Sequence, residues 1–418
     1  MEKVKNVKNT KTFTIICIII ICICVGVVMS KNLKKEKEEP KKEVEIIEPS
    51  ESFNMNIIKK TNEESNGENY LISPYNIEIA LNMLREGALG NTKDEIDKVI
   101  GNRKINDVSI KDKLNIANGV FIKNQYKNDV KEDFTNILKN NYHAELLYDD
   151  YETPTVINNW VKEKTNNMID NLLDSIPERF VLGLASALAL DIKWDSEFEC
   201  INTVEEEFIK ADNSKMKVEM MHQTYKYNNA SYFTLSDAKG IILPYKKELD
   251  NNNELEFVGI LPNQNVQEYV NSLTEEKIND IYNNTKVASD KLHINLSLPR
   301  FTYSYDVKDL SNVLKNMGIK SAFDPNAANF KRMISKDVYV STAIHKTKIE
   351  LNEVGTKAAA VTYFGMEANG LAPQDFEEIN ITFNKPFVYM IREKNTGEIL
   401  FFGTVYEPNK WEGSTCKN

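Results

Sequence analysis

No composition break divides residues 52 to 407, and no fixed-period repeat runs through them. Helical and strand patterns interleave irregularly along this whole stretch. A chain written this way predicts one α+β domain of about 350 residues, large for a single core but within reach of one. Ile157, Trp160, Val161, Met168, Ile169 and Leu172 recur at intervals of three and four and predict one helix face. Asp306 is placed to cap a second helix carrying Val307, Leu310, Leu314 and Met317, with Gly318 to stop it. Leu292, Ile294, Leu296 and Leu298 alternate with His293, Asn295 and Ser297, so His293 is expected on the surface of a strand. Near the carboxyl end, Ile379–Phe383, Phe387–Arg392 and Ile399–Gly403 read as strands, the last two joined by a turn at Asn395-Thr396-Gly397.

The first 51 residues are written differently. Phe13 to Met29 carries no charge and follows Lys3, Lys5, Lys8 and Lys11, a basic head before an apolar run that serves targeting rather than the fold. Its length of about 17 residues lies between a signal-peptide core and a full membrane span. We read residues 1–30 as a retained membrane anchor, with a cleaved signal or a lipidated cysteine as the alternatives. Lysines flank both ends, so charge asymmetry does not fix the orientation. Residues 31–51 are densely charged, contain two prolines and cannot form a core; they predict a solvated stalk. The folded domain then spans residues 52–408, and residues 409–418 form a tail. The expected location is the extracellular face of the membrane, or the medium if the signal is cleaved. The lysine-, asparagine- and isoleucine-rich wording is that of an AT-rich genome, and a bacterial source is expected.

Formal net charge is −10, which argues against broad nucleic-acid binding, since that requires a basic face. Of five cysteines, Cys17, Cys22 and Cys24 lie in the apolar run, leaving Cys200 and Cys416, too few for a disulfide framework. The four histidines are scattered, and neither they nor the cysteines have metal-ligand spacing, so no metal and no cofactor is expected. There is no Gly-x-Ser-x-Gly elbow and no phosphate loop. The chain is therefore not expected to be an enzyme.

The segment EVGTKAAAVTYFGMEA, Glu353 to Ala368, stands apart. Its alanines suit a helix by propensity. Read as a strand, Thr356, Ala358, Ala360, Thr362, Phe364, Met366 and Ala368 share one face without a charge, and the first four are small. Lys357, Val361, Tyr363 and Glu367 fall on the other. Because a strand sends alternate side chains to opposite faces, such a segment could enter a sheet with one face buried. An ordinary strand or short helix is the alternative.

The residues around it carry a resemblance. HKTKIELNEVGTKAAA (His345–Ala360) resembles the hinge of the serpin reactive loop, and FNKPFVYMIREKNTGEILFFGTVYEP (Phe383–Pro408) resembles the carboxyl-terminal signature of that family. NYLISPYNIEIALNMLREGALGNTKDEI (Asn69–Ile96), ILPYKKELDNNNELEFVGILPN (Ile242–Asn263) and LPRFTYSYDVKDLSNVLKNMGIKSAF (Leu298–Phe323) are similar to further family segments. They occur in family order over roughly residues 52 to 408. The resemblance implies a fold of three β-sheets and about nine helices with an exposed reactive-centre loop. Ser73, Asn76 and His345 match positions of the shutter, where the central sheet opens, and Ser186 stands where the family usually has asparagine. Trp194 matches the tryptophan at the top of that sheet, where insertion starts; plain core packing is its other reading. Glu353, Gly355, Thr356, Ala358, Ala359 and Ala360 match the hinge of inhibitory members, with Val354 at a usually polar position.

A serpin of this kind is a suicide inhibitor. A serine, or cysteine, protease cuts its loop and forms an acyl-enzyme, and the freed hinge inserts as a strand before deacylation. Family loop length places the cut between Asn369 and Gly370, with Met366 or Leu371 if the register differs. The expected partner is the target protease, with no nucleic acid, the membrane through residues 13–29, and a monomeric state. The alternative is a non-inhibitory member acting as a surface binding or chaperone module; the small-residue hinge speaks against it.

Overall fold

A computed structural model describes residues 52–356 and 376–409, apart from 102, 250 and 308. Expectations for the anchor, the stalk, Ala358, Ala359, Ala360 and the Asn369–Gly370 bond lie outside the described residues. Among the described residues no helix is long and apolar enough to cross a membrane.

The core is built on a seven-stranded antiparallel sheet. Its order is β1 (Tyr70–Ile72), β18 (Ile399–Val405), β17 (Phe387–Glu393), β10 (Leu255–Pro262), β9 (Ala238–Pro244), β8 (Ser231–Thr234) and β11 (Thr285–Val287). β10 and β18 are buried at every residue, which is why they read as continuous apolar runs rather than alternating ones. A second sheet has the order β16 (Glu377–Thr382), β12 (Leu292–Pro299), β7 (Lys215–Tyr225) and β6 (Thr203–Ile209). In β12, Ile294, Leu296 and Leu298 are buried while His293, Asn295 and Ser297 are half-buried, and His293 stacks on Phe376 at 3.9 Å between ring centroids.

Two further ladders matter most. One has the order β13 (Phe301–Asp306), β14 (Lys346–Leu351), β15 (Gly355–Thr356) and β5 (Ile192–Lys193); the other β3 (Glu145–Asp149), β2 (Leu114–Lys123) and β4 (Leu182–Leu190). β4 and β5 follow each other with only Asp191 between, so the two ladders share one strand line. The described residues thus show four ladders rather than three sheets, and eight α-helices rather than about nine.

Helix α1 (Phe53–Ser65) precedes β1, and α2 (Pro74–Gly87) follows it. Ser73 caps α2 by accepting from the Asn76 N–H, and Pro74 occupies the first helical position, where a missing N–H costs nothing. After α3 (Gly90–Ile100) and α4 (Glu132–Tyr142) comes α5 (Thr155–Lys164), which is shorter than the sequence pattern predicts. Asn166 and Asn167 adopt positive φ of 51° and 61°, a backbone that ends a helix. Ile169 and Leu172 still pack with Ile157, Trp160 and Val161, so the apolar spacing recorded a shared cluster rather than one helix. The remaining helices are α6 (Val266–Asn271), α7 (Glu275–Asn283) and α8 (Leu310–Met317). Asp309, not Asp306, caps α8; Asp306 ends β13, and Gly318 stops the helix with φ 122°.

Candidate functional site: an open slot in a sheet

β4 pairs with β2 along all nine of its residues, Leu182–Leu190. Its opposite edge has no ladder partner among the described residues. β14 pairs with β13 over Lys346–Leu351, and its opposite edge is engaged only where Leu351 meets Thr356. Between these edges lies a cavity of about 970 Å³. Its walls come from α2 (Ile77, Leu81), α5 (Ile157, Val161), β4 and the stretch Val338–His345.

β15 closes one end of the slot. Gly355 pairs with Lys193 and Thr356 with Ile192, while Thr356 also faces Leu351, all antiparallel. A chain continued from Thr356 along this register would run down the slot antiparallel to both neighbours. Thr356 is 3% exposed, and its Oγ1 lies 2.6 Å from Tyr245 Oη. Its inward direction defines which face of a continued strand would be buried. Gly355 permits the close approach, because a Cβ there would lie 2.1 Å from the Ile192 carbonyl oxygen.

The turn ahead of β15 is held on every side. Asn352 Oδ1 accepts from the N–H groups of Val354 (3.0 Å) and Gly355 (3.3 Å), and the Asn352 N–H donates to the Gly355 carbonyl at 3.0 Å. Trp194 donates its backbone N–H to Val354 O and its indole Nε1–H to Asn352 O, both at 2.9 Å. Its ring stacks on Tyr245 at 4.7 Å. Burial pushes the Tyr245 phenol above its ordinary pKa, so it stays a neutral hydroxyl beside Thr356. The Phe198 N–H donates to the Glu353 carbonyl at 2.8 Å. The buried Glu353 carboxylate accepts from Thr203 Oγ1 at 2.8 Å and from the Arg300 guanidinium at 3.3 Å, and Arg300 Nε donates to Glu219 at 2.7 Å.

The second predicted cluster sits midway along the slot. The Ser73 N–H donates to His345 Nε2 at 2.9 Å, so the imidazole is neutral with its proton on Nδ1. Burial lowers the His345 pKa to about 4. Asn76 Nδ2 donates to the Ser186 carbonyl and Ser186 Oγ donates to Asn76 Oδ1, both at 3.4 Å. Ser186 thus engages α2 from β4, and His345 engages the start of α2 from across the slot.

Trp194, Glu353, Gly355 and Thr356 therefore meet at one end of the slot, and Ser73, Asn76, Ser186 and His345 at its middle. Sequence reasoning did not single out Asn352, Tyr245, Thr203, Glu219 or Arg300. Asn352 carried a local signal, an asparagine three residues ahead of a glycine that fits a side-chain-closed turn. The other four reach the hinge from distant segments and have none.

Comparison with known proteins comes to the same place. Residues 48–408 match the family model described as Serpin (serine protease inhibitor). The chain is 29% identical to human (Homo sapiens) neuroserpin over 396 residues, covering 85% of this chain and 90% of that protein. It is 32% identical to rat (Rattus norvegicus) glia-derived nexin over 369 residues, covering 82% of this chain and 88% of that protein. The crystal structure of the thermophilic serpin tengpin in its native state superposes with a TM-score of 0.73 at 32% identity, covering 85% of this chain and 93% of that one.

Proposed function

The chain belongs to the serpin family, and from that premise we propose that it is a single-use inhibitor of serine, or cysteine, endopeptidases. Residues 357–375 connect β15 to β16, which lies at the far edge of a different sheet, so the segment is tied at both ends while intact. Cleavage after Asn369 would form an acyl-enzyme and release the hinge side. The observation that carries this reading is the register of β15: its two residues already occupy the mouth of a slot whose two edges lack partners. Extending that register sets Ala358 between Leu190 and Ile349, Ala360 between Leu188 and Thr347, and Thr362 between Ser186 and His345. These are the small residues of the uncharged face, so they would enter the interior without prying the edges apart. The protease, bonded to Asn369, would be dragged along and distorted.

The acting domain is residues 52–408. We further propose that residues 13–29 anchor it at the extracellular face of the membrane, with residues 31–51 as the spacer. The functional test is incubation with a panel of serine and cysteine endopeptidases. An SDS-stable adduct, and release of a peptide beginning at Gly370, are the expected results. Cleavage with no adduct for any protease would instead support a substrate or a binding module.

A further inference from the structure

Cys200 is disulfide-bonded. Three of the other four cysteines fall between residues 17 and 24; the fourth is Cys416. We propose that Cys200 pairs with Cys416 and that residues 410–416 lie antiparallel along the outer edge of β6 as a covalently clasped extra strand.

Three observations converge on this. First, the described chain ends at the correct place. The N–H groups of Tyr406 and Glu407 donate to Asn69 Oδ1 at 2.6 and 3.0 Å, and Glu407 pairs with Lys210 at 3.0 Å, one residue beyond the end of β6. Second, β6 is the terminal strand of its sheet, and its free edge has no ladder partner among the described residues. Ile201, Val204 and Ile209 on and beside it are 79%, 47% and 37% exposed, an apolar edge that attracts a partner strand. Third, the lengths agree. From Glu407 to Cys416 an extended chain covers roughly 30 Å. The path back from Lys210 through β6 and the 3-10 turn Cys200–Asn202 is also roughly 30 Å. In this register Trp411 falls opposite the middle of β6, within reach of Val204.

The clasp has a consequence for the slot. Cys200 lies three residues before Thr203, whose hydroxyl holds the Glu353 carboxylate. Fixing that end of β6 fixes one of the groups that hold the hinge at the slot mouth. Such a bond persists in oxidising compartments, in keeping with an exported domain.

The test uses the full chain. Free thiols are alkylated, the protein is digested without reduction, and peptides are identified by mass spectrometry. A peptide pair joined through Cys200 and Cys416 is expected; Cys200 alkylated, or joined to Cys17, Cys22, Cys24 or a second molecule, overturns the proposal. Hydrogen exchange of residues 203–209 is then compared between wild type and Cys416→Ser. Loss of protection by about tenfold is expected where the outer strand is released. Unchanged exchange overturns the docked strand even where the bond is found.

Discussion

Replacing Thr356 by arginine places a charge where the slot is entered. Thr356 is 3% exposed and its hydroxyl meets Tyr245. An unpaired buried cation there costs about 4 kcal/mol. The inserted strand, by contrast, would gain on the order of 10 hydrogen bonds along the edges of β4 and β14, at about 1 kcal/mol each. Insertion of Thr356→Arg therefore remains downhill at its end, and the penalty falls on its first rung. If the full penalty enters the barrier, insertion slows by roughly 10³-fold. Deacylation of the protease is untouched, so it wins the race and the variant is consumed as a substrate. The assay pairs a protease that traps the wild type with each variant and reads SDS-stable adduct against cleaved inhibitor. Thr356→Arg should give cleavage with little adduct, and Thr356→Ser should behave as wild type. Full adduct yield from Thr356→Arg would refute strand insertion through this end of the slot.

Gly355→Ala should expel β15, because its Cβ would meet the Ile192 carbonyl oxygen at 2.1 Å; the emission of Trp194, bonded to Val354 and Asn352, should shift, and an unchanged spectrum would count against the pairing seen here. Glu353→Lys sets a second cation against the buried Arg300 guanidinium and should destabilise the intact protein by about 3–5 kcal/mol in urea titration, with a wild-type midpoint as the contrary result. His345 has a folded pKa near 4 against an ordinary value of 6.5, so unfolding takes up a proton between those values. Its contribution, about 3 kcal/mol, is complete above pH 6.5 and is lost as pH falls towards 4. His345→Gln should flatten that part of the stability–pH curve, and an equally steep curve in the variant would exclude His345 as its source.

What could be read from the sequence was whatever repeats locally. The alternation in β12 and the turn at Asn395–Gly397 follow from side-chain periodicity and glycine backbone freedom, and both lie where they were expected. The uncharged phase beginning at Thr356 points inward at the one member of that set the structure describes. Boundaries were less legible. Asp306 and Asp309 are both credible caps, and only packing decides that the chain is still a strand at Asp306. Two asparagines in left-handed backbone cut α5 short, although the apolar spacing continues past them. The hinge-holding set of Tyr245, Thr203, Glu219 and Arg300 was illegible for a different reason. Each comes from a separate strand or strand end, and no local pattern records a contact across the fold.

The central claim concerns a stability that the intact chain has not yet gained. Its most direct measurement is the melting temperature of the protein before and after a single cut within residues 357–375. Ten or so new ladder bonds in a domain of this size correspond to a rise of roughly 15 °C on cleavage. A nicked protein that melts at or below the temperature of the intact one would show that nothing fills the slot, and would contradict the account.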